Sequence, residues 1–280
     1  MSNVIPFSVP RAKSQSGQIE ALIRCFATQR RFGDDVFWLK ENAELLNILY
    51  SSGLNVDPEH LAPYRSFYAS IEKRMLFFPQ YYRFLLSITQ DLEALGLARG
   101  KAVPLANWVD AQSLVSAELS DLQRAEANRL LRRGGLKIAS REDGLNERLH
   151  RFINHSQTFA VPNKKAAYEL THIVFYLSEY GHQDPKISAA ALISLEFAGL
   201  LALLDQNVDL LSEICIAMRF AGGIPPSEWE AWIAKELGDY QISECANGAV
   251  RMIIILILCV TGWPPCAIPL CFRARCLPAQ

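Results

Sequence analysis

Residues 164–181, KKAAYELTHIVFYLSEYG, decide the fold. Leu170, Ile173, Val174 and Leu177 recur at the three-and-four spacing that gathers side chains on one helix face. Glu169, His172, Tyr176 and Glu179 stand at i, i+3, i+7 and i+10, a narrow polar stripe roughly opposite the apolar one. Such a stripe is either a solvated face or the wall of an inward cavity holding carboxylates, an imidazole and a phenol, the groups used for proton transfer or metal binding. Tyr168 and Phe175 flank it, which favours the cavity.

The same period runs outward in both directions. Towards the carboxyl end, ISAAALISLEFAGLLALLD, VDLLSEICIAMRFAG and PPSEWEAWIAKELGD read as helices. Towards the amino end the periodic segments are VFWLKENAELLNILYSSG, APYRSFYASIEKRMLFF interrupted at Pro79, QYYRFLLSITQDLEALG, and NERLHRFINH. NWVDAQSLVSAELSDLQRAEANRLLRR predicts one long helix stopped by Gly134-Gly135. Gly33-Asp34-Asp35 offers a cap and first-turn acids for its helix, and Gly53 stands where a C-terminal glycine belongs. Alternating strand-like runs are missing, so the expected class is all-α, a single helical bundle or an α/α ring of antiparallel helical hairpins. LKIASREDG is the best internal boundary, although a helical array can continue across such a loop.

Glu169-x-x-His172 is preceded by Glu147-x-x-His150, the spacing with which di-iron bundles place two ligands on one face. Glu196 and Glu213 on the next two helices complete four carboxylates and two histidines, so a divalent metal is one occupant these residues admit. The order differs from the usual one, in which a lone Glu alternates with each pair. Asp34-Asp35 with Asn207, Asp209, Ser212 and Glu213 suggests the magnesium motifs of ionising terpene synthases, but the spacing fails. FFPQYYRFLLS reads either as core around a kinked junction or as the lining of an apolar pocket. Arg124, Arg129, Arg132 and Arg133, diluted by acids, read as a solvated helix end.

The 280 residues are 50% hydrophobic and 20% charged, with 28 basic and 29 acidic groups. That is enough for a filled core, and a formal charge of −1 leaves no basic field to hold nucleic acid. The totals hide an uneven chain. Residues 252–280 contain no acid, four of the seven cysteines and four of the fourteen prolines; the other 251 carry 26 basic and 29 acidic groups. The expected organisation is a flexible tail over 1–16, a helical domain over 17–251, and an atypical apolar Cys/Pro-rich tail over 252–280. That last tail is either a segment that docks on the bundle or a partner, or an out-of-frame translation. Its longest apolar run, residues 252–260, is about half the roughly 20 residues of a membrane span. No secretory leader is legible, and cysteines are sparse over 1–251, so the cytoplasm is the expected location.

At GDDVFWLKENAELLNIL, FFPQYYRFLLSI and AYELTHIVFYLSEYG the chain resembles an uncharacterised alphaproteobacterial all-helical protein family, over roughly residues 20 to 250. The resemblance implies a bacterial source and a helical fold, implies no reaction, and directs attention to Glu169, Thr171 and His172. The leading functional expectation is a pocket for a metal ion or small molecule, with His172 as base or ligand, Glu169 orienting it and Tyr176 beside it. Whether it is an enzyme stays open, the alternative being a non-catalytic scaffold for a protein partner.

Overall fold

The computed structural model describes residues 15–28, 36–138 and 144–238. Among them every regular element is an α-helix or a short 3-10 segment, with no strand. The amino-terminal half comprises α1 (Gln15–Thr28), α2 (Val36–Ser51), a 3-10 segment over Pro58–Tyr64, α3 (Arg65–Ala69), α4 (Ile71–Phe77), α5 (Tyr82–Ala94) and α6 (Ala102–Ala111). Then follow α7 (Asp121–Arg133), α8 (Leu145–Ile153), α9 (Lys164–Leu177), α10 (Ala189–Leu204), α11 (Val208–Phe220) and α12 (Ser227–Gly238). The starts of α9, α10 and α11 are fixed locally: the side chains of Asn163, Ser188 and Asn207 accept the N–H groups of Ala166, Ala191 and Leu210. The proposed cap of α2, Asp34-Asp35, and the tails over 1–16 and 252–280 lie outside the described residues, apart from the first residues of α1.

Two apolar cores result. The first gathers Leu22, Leu45, Leu49, Tyr64, Leu86 and Leu131, and the second Leu149, Leu170, Val174, Leu195, Leu211 and Ile233. Helix α7 serves both, giving Ala127, Leu130 and Leu131 to the first and Ala125 to the second. Hence the loop after α7 does not separate two independent cores: the helix before it already belongs to both.

Three expected helices are shorter than their periodicity suggests. The run predicted as one helix over 107–133 breaks into α6, a 3-10 segment over Leu114–Ala117, and α7, with Ser113 left-handed at φ 54°. Contacts with α5 hold the break. The Glu118 carboxylate accepts from the Tyr82 hydroxyl and Arg83 Nε, both at 2.9 Å, while Arg124 Nε reaches the Glu118 carbonyl at 2.7 Å. The segment 62–78 starts as a 3-10 turn and breaks again at Ser70, whose hydroxyl donates to the carbonyls of Ser66 and Phe67 and competes with the helix ladder.

Helix α9 stops at Leu177, so Glu179 leaves the stripe. Glu179, Tyr180 and Gly181 take φ values of 48°, 54° and 87°, an unusual left-handed run for two side-chain-bearing residues. Their anchors are specific. Arg129 Nε donates to the Glu179 carboxylate at 2.7 Å, and the guanidinium covers the Tyr180 ring at 4.6 Å. At Gly181 a Cβ would stand 2.6 Å from the Phe220 ring, so the turn needs glycine for space as well as for φ.

Candidate functional site

Helices α9 and α11 present polar side chains to one another along a seam, and charged residues of α2 act on them. Lys40 and Glu44 come from α2, Tyr168, Thr171, His172 and Tyr176 from α9, and Asp209 and Glu213 from α11. Lys40 and Glu44 are one turn apart, with Nζ 3.6 Å from the carboxylate. The Lys40 side chain is 56% exposed, and its charge reaches His172, Asp209 and Glu213.

Glu213 is 1% exposed. Its carboxyl meets the Thr171 hydroxyl, which also lies 2.9 Å from the Tyr168 carbonyl. Burial pushes the Glu213 pKa well up, Thr171 opposes the shift and Asp209 adds to it. Thr171 Oγ1 donates to Glu213 Oε2, while burial favours the neutral form of that carboxyl. Glu44 is pushed up to about 7 by burial, against Lys40 and with Asp209. Asp209 is raised by burial and accepts from the Tyr168 hydroxyl at 2.9 Å, which opposes that rise.

His172 is half-buried, and burial, then Lys40, lowers its pKa to about 4, so at neutral pH it is an uncharged imidazole. Its ring lies parallel to that of Tyr176, 6.0 Å between centroids and 8° between planes, and edge-on to Phe175. Among the described residues its two nitrogens make no hydrogen bond, which leaves an acceptor and a donor for a bound molecule. Burial also raises Tyr176, a neutral phenol.

Behind Tyr176 a second polar network fills the junction. Arg129 is 3% exposed and Asp91 fully buried, and Arg133 bonds Asp91 at 2.8 Å while covering the Tyr50 ring at 4.5 Å. The expectation of a solvated arginine end is therefore corrected: Arg132 is exposed, but Arg129 and Arg133 point into the junction, because each finds a carboxylate and an aromatic face there.

The six suggested metal ligands are dispersed. Glu169 is a third exposed and pairs with Lys165 at 3.9 Å, with no hydrogen bond to His172. Glu147 and Glu196 are exposed on α8 and α10, and His150 is half-buried on α8. Of the six, His172 and Glu213 share the seam, and among the described residues no three His, Cys, Asp or Glu side chains are grouped to hold a metal ion. The aromatic run belongs largely to the first core, where Tyr82, Leu85 and Leu86 are buried and Tyr81 and Phe84 pack against them, while Phe77 is 74% exposed and packs edge-on against Phe78 at 4.6 Å. Lys40 and Glu44 escaped the sequence reading, although charged residues within a mostly buried, Leu-rich helix were a legible sign. Among the described residues no helix is long and apolar enough to cross a membrane.

A family model described as a domain of unknown function, DUF6902, matches residues 1–251, a span that contains every acidic residue of the chain. No curated protein and no solved structure matches the chain. With nine-tenths of its length covered by that model, the all-helical chain belongs to the DUF6902 family.

Proposed function

We propose that the seam between α2, α9 and α11 binds a small polar molecule, with His172 as its central contact. The observation that carries this reading is the half-buried, neutral imidazole, which makes no hydrogen bond among the described residues and feels the charge of Lys40. A neutral imidazole accepts a proton or a hydrogen bond, and Lys40 supplies positive charge for an anionic group of the same molecule. The Thr171 hydroxyl donates to Glu213, and Tyr176 supports the imidazole face. Glu169 belongs to the rim of this site. Among the described residues the carboxylates and imidazoles are not grouped in threes as metal ligands, which favours a small molecule over a metal ion. A bacterial cytoplasm is the setting this reading assumes.

The test is a thermal-shift screen of small organic acids, amines and divalent metals against the protein and its His172→Ala variant. A compound that raises Tm for the parent alone supports the reading. If none shifts Tm in a His172-dependent way, the seam is structural. A protein-scaffold role is the second reading, favoured by the exposed Leu76 and Phe77 of α4.

A further inference from the structure

Helix α10, AAALISLEFAGLLALL, holds one charged residue, Glu196, in sixteen. A helix apolar around its whole circumference belongs inside a protein. Yet Ile193, Phe197, Leu200 and Leu204, at i, i+4, i+7 and i+11, are 42%, 38%, 50% and 70% exposed. They form one stripe along the helix, and beside its carboxyl end Val161, Pro162 and Leu201 line a small cleft.

We infer that residues 252–260, MIIILILCV, dock on this face of α10 within the same chain. All nine are apolar, and Arg251 just before them supplies a positive charge for Glu196, the only charge on the helix. Four half-exposed side chains offer on the order of 350 Å², well under the ~800 Å² per partner of a stable complex, so a second copy gains too little here. A tethered segment needs less area, because its effective concentration is in the millimolar range. The path is short. Trp229 of α12 sits over Gly199 in the middle of α10, where a Cβ would be 2.2 Å from the indole, and α12 ends at Gly238. The thirteen residues 239–251 can extend up to ~45 Å, and α10 is about 24 Å long.

The test places a photoreactive benzoylphenylalanine at position 200 of the full chain, in a mixture of isotopically light and heavy protein. The expected product joins position 200 to a peptide containing 252–260, with both ends of one isotope. Mixed-isotope products, cross-links confined to other segments, or no cross-link would each overturn the inference. Independently, the Leu200→Glu/Leu204→Glu double variant, with its helical circular dichroism retained, is expected to be cut by trypsin after Arg251 about tenfold faster than the parent, since a docked segment shields that bond. An unchanged cleavage rate would overturn the docking as well.

Discussion

The imidazole of His172 lies parallel to the phenol of Tyr176, one helical turn away, at 6.0 Å between centroids. The stack covers one face of the imidazole with an uncharged ring, and burial lowers the pKa of His172 to about 4. Tyr176 in turn lies 6.2 Å from Tyr180, whose ring Arg129 covers. One stripe of α9 thus joins the seam to the buried arginine network.

The first prediction concerns the charge of that imidazole. Its NMR titration is expected to have a midpoint near 4, against an ordinary 6.5. Between those two values the unfolded chain binds the extra proton, so His172 makes stability fall as pH drops from 6.5 to 4. Urea unfolding across this window should show a smaller acid loss for His172→Phe than for the parent. A midpoint near 6.5 would show that the ring is not shielded.

Glu213 carries the opposite sign. With its folded pKa raised above the unfolded one, the folded chain holds a proton that the unfolded chain releases, so stability is lost as pH rises through the folded value. Glu213→Gln, neutral and of the same shape, should stay within about 1 kcal/mol of the parent at pH 7 and lose less on alkalinisation. Glu213→Ala should cost about 2–3 kcal/mol through its cavity and the unpaired Thr171. Glutamine as damaging as alanine would argue for an ionised Glu213.

Arg129→Ala should be among the most destabilising substitutions. It removes a guanidinium that is 3% exposed, opens a cavity, and strips the left-handed turn at Glu179 and Tyr180 of its anchor. Chemical denaturation should show a loss of about 3 kcal/mol. Loss of less than about 0.5 kcal/mol, the usual scale of a surface substitution, would mean the pair acts as a surface ion pair.

Gly199→Ala tests the seat of α12. A methyl group there would stand 2.2 Å from the Trp229 ring, so the indole must shift outward. A red-shifted tryptophan emission and a loss of about 1–3 kcal/mol are expected. Unchanged emission would mean that α12 does not rest on that position.

Much of the fold was legible because helices are local. Asn163, Ser188 and Asn207 cap from within their own first turn, and the apolar period of α9, α10 and α11 follows from 3.6 residues per turn alone. His172 and Tyr176 stood out as polar members of such a period. The errors lay where a remote partner overrides local preference. Glu118 leaves the helix because Tyr82 and Arg83 wait on α5, and Glu179 leaves it because Arg129 receives its carboxylate. Glu169-x-x-His172 and Glu147-x-x-His150 share a spacing but no common space, since spacing along a helix says nothing of what the helix faces.

By itself, then, the amino-acid sequence determined the helical class and the apolar faces, both set by interactions within one or two turns. Only the tertiary structure decided that the Lys40 charge reaches His172, that Thr171 meets Glu213, and that Arg129 lies buried instead of solvated. Those relationships join residues 42 to more than 100 positions apart. Desolvation where two cores meet, not spacing along the chain, governs their charge.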